Sequence, residues 1–431
     1  MKTKLQFHQQ GFDHADISGI WRSGEASRDF RTLCSFGGRF AGTASERNAT
    51  EYLALRLEQI LGVQARRLPV PYLGWDRIGG RLDMADGVTI PATPLGRSPA
   101  VSKLKTKVVD LGRGTRRDFD AAADRIAGCA VLVSHEYMLA SGHVHRRDKY
   151  RWAKMFGASA FIIACNLPGN LTVTGSAGSG AEDDIPAVGV SYEDGRRLAA
   201  QDGEISITVE GKFERRVAEN LVVDIPGNGD RVILLCAHID GHHLSENAID
   251  NTSGLTVLLL AAGVIADIAE RSRYGLRIVL FNVEEWAVIG SKHYLDSLPE
   301  QERARIVLNI NLDSVAGARS LTVLTSGLSD CEALVNEVNE RSLLALGIER
   351  PFLGNSDHGN FIRKGIPAMR LCAGWNDPAS NLRFLLTPAD TPDKVSLPEI
   401  GTAAVATAML FERAVQRDEF RFDRAPVNGE V

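Results

Sequence analysis

The chain reads as an α/β protein in which a central sheet is covered by helices on both faces and a smaller α/β unit is inserted. Three observations predict this. Four runs in its second half, RVILLCA (231–237), RIVLFN (277–282), IVLNINLD (306–313) and IPAMRLC (366–372), are almost wholly apolar, as strands buried on both faces must be. Helical segments precede or follow each of them. Between about residues 100 and 215 a second, shorter series of strand and helix signals appears, and 431 residues are more than one core ordinarily organises.

Taken in order, the elements divide the chain into 1–99, 100–215 and 216–431. The first eighteen residues, MKTKLQFHQQGFDHADIS, lack the apolar stretch of a secretory signal. FGGRFAGTA (36–44) is a glycine-rich loop. SERNATEYLALRLEQILGV follows as a helix, with Ser45 as its expected N-cap and Ala49, Leu53, Leu57, Ile60 and Leu61 at helical spacing. Residues 86–100 are polar with Gly and Pro and mark a boundary. In the middle unit IAGCAVLVS (126–134) is a buried strand, and DKYRWAKMFGASAFIIAC (148–165) a helix, a glycine turn and another strand. IPAVGVSYEDGRRLAA (185–200) passes from strand into helix. TGSAGSGAEDD (174–184) has glycines, but not the strand-to-helix setting of a phosphate loop. Beyond residue 216 the strands alternate with helices, of which SGLTVLLLAAGVIADIAE (253–270) is the most apolar.

Composition narrows the function classes. A net charge of −5 with Lys and Arg dispersed gives no footprint for nucleic acid or a membrane surface. No uninterrupted apolar run approaches the ~18 residues of a membrane span. The six cysteines lie far apart, four of them within apolar runs, as buried reduced thiols do. A cytoplasmic location is expected, and oligomeric state is left open, a homo-oligomer included.

Metal-type residues gather where the predicted strands end, the edge at which open α/β sheets build sites. AHID ends the first strand with His238 and sets Asp240 two residues on, where period-two geometry would put both on one face. Asp240 would then accept the second imidazole N–H of His238. AIDNTSG offers Asp250 just ahead of a helix, where a plain N-cap is the bland alternative. NVEEW supplies Glu284 and Glu285, adjacent carboxylates that point different ways. NLDS leaves Asp313 at the end of an apolar strand, where a buried carboxylate needs a partner. One imidazole with several carboxylates is a nitrogen–oxygen donor set suited to zinc or a similar divalent ion. The chain has no GxSxG elbow and no HExxH helix.

These motifs, in this order, resemble the co-catalytic zinc exopeptidases related to bacterial leucyl aminopeptidases, aminopeptidase Y, glutamate carboxypeptidase II and the transferrin receptor. The resemblance also takes in FGGRFAGT (36–43), SDHGNFIRKGIPA (356–368) and TPADTPDK (387–394). It implies a mixed central sheet, with the middle segment as an inserted protease-associated domain. It implies His238, Asp250, Glu285 and Asp313 as metal ligands and Glu284 as general base, with Asp240 in support. One position departs: where that family has its fifth ligand, a His directly before T-x-x-D-T, this chain has Leu386. A tight zinc site at His238, Asp250 and Asp313 is therefore expected, and the second site is in doubt. His358 is the candidate substitute for the missing imidazole. His242 and His243 are read as loop histidines and His293 as structural.

The function implied is hydrolysis of an amide bond in a peptide or small-molecule substrate, foremost as an aminopeptidase. Two alternatives remain: a hydrolase of non-peptide or N-acyl amino acid amides, and a catalytically degenerate binding protein of the transferrin-receptor kind.

Overall fold

A computed structural model describes residues 23–424. Its larger sheet is mixed. In spatial order the strands are Gly347–Glu349, Leu321–Leu324, Ala368–Ala373, Ile306–Leu312, Val232–His238, Gly275–Phe281, Ile205–Ile225, Arg66–Met84 and Thr89–Pro91. Val101–Thr106 also joins it, alongside Ile205–Ile225. The four predicted apolar runs are its adjacent, mutually parallel centre. Because they are parallel, their C-terminal ends all open on one edge.

The Gly254–Glu270 helix lies against this centre, and its apolar side chains are buried nearly all round. An 18-residue window within Ala248–Glu270 has a mean hydropathy of 1.8, but 78% of that window is buried in the protein, so its apolarity belongs to the core. The Leu397–Ala414 helix packs beside it, opened by a reciprocal Ser396–Glu399 capping box.

Near the N-terminus the helix runs Ala44–Leu61 and is capped by Thr43 rather than the expected Ser45. Thr43 accepts the Glu46 N–H at 3.2 Å, while the Glu46 carboxylate reaches back to the Gly42 N–H at 3.1 Å. The cap thus falls inside the glycine loop, two residues before the expected Ser45.

The middle unit builds its own sheet, ordered Thr93–Pro94, Ala187–Val190, Ala160–Ala164, Ala130–Ser134, Val108–Asp110. One face carries Leu132, Ile162 and Val188 against Leu82, Ile205 and Ile207 at the far end of a long hairpin. That hairpin, Arg66–Met84 paired with Ile205–Ile225, leads out of the large sheet and carries the insert at its tip. The polar stretch 86–100, read as a boundary, contributes two short strands, one to each sheet.

Gly290 shows how closely this edge of the sheet is packed. It lies in the first turn of the Ile289–Ser297 helix, and a Cβ there would sit 1.8 Å from the carbonyl oxygen of Asn282. Gly290→Ala is expected to cost about 2 kcal/mol or more, because that carbonyl belongs to packed backbone rather than a flexible side chain. Urea unfolding measures it; a midpoint equal to wild type would mean the segment shifts at no cost.

Candidate metal centre

Each predicted chemical residue stands where an apolar strand of the parallel centre has just ended. His238 is the last residue of Val232–His238, Glu284 and Glu285 follow Gly275–Phe281, and Asp313 follows Ile306–Leu312. Asp250 lies in the Ala248–Ser253 turn ahead of the core helix, at a cis Asp250–Asn251 peptide bond. It does not cap that helix.

The side chains converge into two groups that share Asp250. In one, His238, Asp250 and Asp313 bring donor atoms within 4.8 Å of one another; in the other, His242, Asp250 and Glu285 do so. His238 Nε2 is 3.1 Å from Asp250 Oδ1 and 3.8 Å from Asp313 Oδ1. His242 Nε2 is 2.7 Å from Glu285 Oε1. These are close approaches without hydrogen-bond geometry: His242 Nε2, Asp250 Oδ1 and Glu285 Oε1 are all buried with no hydrogen-bond partner. Buried polar atoms are nearly always satisfied. Three orphans aimed at one point fit a divalent cation, and a mixed imidazole–carboxylate set fits zinc.

Electrostatics point the same way. Burial raises Glu284 and Glu285 well above the usual carboxylate range; His238 offsets it in part, and the neighbouring carboxylates add to it. Burial disfavours a charged His238, but Glu284, Asp250 and Asp313 outweigh it and hold this ring well above the usual histidine range. Asp313 is held well below its usual range, against its own burial, by Arg370, His238 and Ser356. Burial draws His242 down to about 4, which keeps the ring neutral and its lone pair free for a metal. The carboxylates around these two imidazoles repel one another, and His238 and Arg370 offset that repulsion in part.

Supporting contacts explain the remaining motifs. Asp240 was expected to take the second N–H of His238. Instead His238 Nδ1 lies 3.0 Å from the Asp240 main-chain oxygen, and the carboxylate stands 3.9 Å away. That carboxylate accepts the Glu284 and Glu285 N–H groups at 2.9 and 3.1 Å. The strand stops at His238, so period two no longer governs residue 240, and Asp240 holds the glutamate turn. Asp390 of the TPADT segment accepts the Ile249 and Asp250 N–H groups at 2.7 and 3.2 Å, which fixes the shared carboxylate's backbone. Ser356 donates to Asp313 Oδ2.

The FGGRFAGT loop holds the segment that bears His242. Arg39, fully buried, donates from Nε to the Ile239 carbonyl at 3.0 Å and from Nη1 to the Glu246 carbonyl at 3.2 Å, and its own carbonyl accepts the Gly241 N–H. Gly38 lets the two loops touch: a Cβ there would lie 2.6 Å from the His243 Cα. His242 was read as a loop histidine and is instead the imidazole of the second group. The motif that clamps its loop was the available signal, but nothing in the sequence joins residue 38 to residue 242.

His358, the expected substitute, joins neither group. Its ring is buried beside Phe352 in the first residue of the His358–Arg363 helix. His293 lies in the Ile289–Ser297 helix. Leu386 shows why no imidazole is found at its position. Its side chain packs into the core of the insert with Val173, Cys165 and Ala177, and its carbonyl accepts the Thr174 N–H at 2.9 Å.

Leu386 is one of several contacts that dock the insert over the metal edge. Tyr137 donates to the Gly374 carbonyl, and the Asn376 side chain accepts the Ser141 N–H at 2.8 Å. Between the two units is a pocket lined on one side by Asp250, Glu284, Glu285 and Asp313 and on the other by Met138, Arg146 and Ser176.

Known proteins resemble this chain over most of its length. Residues 220–411 match the peptidase family M28 and residues 104–198 match the PA domain. Aminopeptidase YwaD of Bacillus subtilis is 28% identical over 398 residues, 89% of this chain and 83% of that protein. Leucine aminopeptidase 2 of Trichophyton rubrum is 26% identical over 67% of this chain, which spans only 60% of that protein. The solved structure of BSAP, a zinc aminopeptidase from Bacillus subtilis, superposes with a TM-score of 0.72 at 26% identity, covering 91% of this chain and 95% of its own. A peptidase M28 precursor from Shewanella amazonensis has the same fold, at a TM-score of 0.76, 20% identity and 96% and 97% coverage.

Proposed function

We propose that this chain, which joins a peptidase family M28 domain to an inserted PA domain, is a zinc-dependent aminopeptidase releasing N-terminal residues from peptides. The observation that carries this reading is the pair of His–carboxylate groups sharing Asp250, with Glu284 beside them in one pocket. His238 and Asp313 would hold one ion, His242 and Glu285 the other, and Asp250 both. When bound, zinc supplies Lewis acidity, polarising a substrate carbonyl and making water acidic enough to attack near neutral pH.

The chain's own residues do the rest. Glu284 faces the pocket and takes the proton from the attacking water, then returns it to the leaving amine. Its raised proton affinity, caused first by burial, suits a group that must hold a proton between two steps. Asp240 sets Glu284 and Glu285 through their main-chain N–H groups, so one carboxylate serves the proton and its neighbour the metal. The insert closes one side of the pocket and limits the size of peptide admitted.

Two measurements on one preparation test this: hydrolysis of leucine p-nitroanilide, and the thermal midpoint, each before and after chelation. Removal of zinc should abolish hydrolysis and lower the midpoint, since an ion bound only by the native state stabilises it. Zinc should restore both. Undiminished hydrolysis by protein shown to be metal-free would overturn the reading.

A further inference from the structure

The wall of the pocket opposite the carboxylates belongs to the insert, where His145, Arg146 and Arg147 stand at the start of the Arg146–Met155 helix. The charges there are arranged against expectation. The N-terminal end of a helix is itself partly positive and ordinarily attracts acidic side chains or anions. This helix opens with two arginines ahead of Asp148, the acidic residue of its first turn.

Arg146 is 6% exposed, and among the described residues it forms no ion pair within 4.0 Å. Its Nε donates to the Ser176 carbonyl at 2.9 Å, while Nη1 is buried without a partner. The group is also held in place. Gly175, at φ +116°, lies flat against the guanidinium, and a Cβ there would be 2.2 Å from Cζ and from Nη2. Burial, with Arg147 alongside, draws Arg146 down to about 9, and Glu285 and Glu284 oppose that only from across the pocket. Those two glutamates are the groups assigned above to the metal and the proton. Once they are so engaged, Arg146 is left without a carboxylate facing it, and Arg147 keeps only its neighbour Asp148. A buried cation in that condition needs an anion.

Resting on the aminopeptidase reading, we propose that Arg146, with Arg147 beside it, is a carboxylate-binding subsite that selects short peptides negatively charged just beyond the scissile bond. A guanidinium presents two parallel N–H groups that match a carboxylate. The favoured substrate is a dipeptide, whose C-terminal carboxylate falls on the second residue. An acidic side chain on that residue of a longer peptide offers the same chemistry. Arg146 is a specificity residue here: it touches the substrate away from the reacting carbonyl.

The test measures binding, so it does not depend on turnover. Zinc-loaded protein is titrated calorimetrically with a leucyl-glycine analogue whose peptide bond is reduced to CH2–NH, as the free acid and as the C-terminal amide. Wild type should bind the acid about tenfold or more tightly than the amide, and Arg146→Gln should bring the two within about twofold. Equal affinities in wild type would overturn the subsite, and that comparison needs no variant to fold. The corresponding leucyl-aspartate amide separates the sources: recovery of tight binding assigns the subsite to acidic side chains as well, and weak binding restricts it to C-termini. Acid preference in a protein that hydrolyses no peptide would leave the subsite standing and sink the aminopeptidase reading alone.

Discussion

Glu284→Gln is expected to lower kcat by about 10²-fold or more while leaving zinc content unchanged. Glutamine keeps the size and the hydrogen-bonding reach of the side chain but cannot accept the proton of the attacking water. Metal content should hold because Glu284 belongs to neither group that shares Asp250. Its main-chain N–H, held by Asp240 at 2.9 Å, is unaffected by the change, so the turn that presents Glu285 keeps its shape. KM should move little, because the lost interaction is one made in the transition state. The decisive comparison is single-turnover kinetics beside elemental analysis of the same samples. Wild-type turnover in the variant would remove Glu284 from the reaction. Loss of zinc would make it a ligand instead of a base.

His242→Ala should reduce bound zinc from about two ions per chain to about one, with a large fall in kcat if the chemistry uses both. Leu386 alone would have predicted about one zinc in wild type, because leucine offers a metal no electron pair. The structure supplies the nitrogen from a different place: His242 Nε2 stands 2.7 Å from Glu285 Oε1. Leu386→His should not compensate, since that side chain, although it borders the pocket, packs with the core of the insert and an imidazole there gives up that packing. Elemental analysis of wild type, His242→Ala and the double variant reads the answer without an activity assay. Two tightly held ions in His242→Ala, or only one in wild type, would refute a ligand role for His242.

Much of this could be read from the chain, for identifiable reasons. The central strands were legible because both their faces are buried, which forces uninterrupted apolar runs such as 231–237 and 306–313. The positions of His238, Asp250, Glu284, Glu285 and Asp313 at one edge followed, since parallel strands end on the same side. The long hairpin was not legible. Arg66–Met84 is exposed along much of its length and interrupted by glycine and proline, so neither a continuous run nor a clean alternation marks it. The Thr43 cap was missed for a local reason: it lies within a loop whose form depends on the Glu46 side chain.

What the sequence by itself determined is the kind of site: an α/β sheet edge that gathers nitrogen and oxygen donors of the type suited to a divalent metal, with two adjacent glutamates among them. Those are properties of residue type and of order along strands, which periodicity transmits. Only the tertiary structure decided which imidazole completes the second group, what Leu386 does and which arginines face the pocket. Each of those depends on contacts between segments distant in sequence: Gly38 and Arg39 against the loop of His242, Leu386 within the insert, and Arg146 across from Glu284. Spacing along a chain holds no record of such contacts; close packing makes them, and here it brings the His242 ring to Glu285 and Leu386 into the insert.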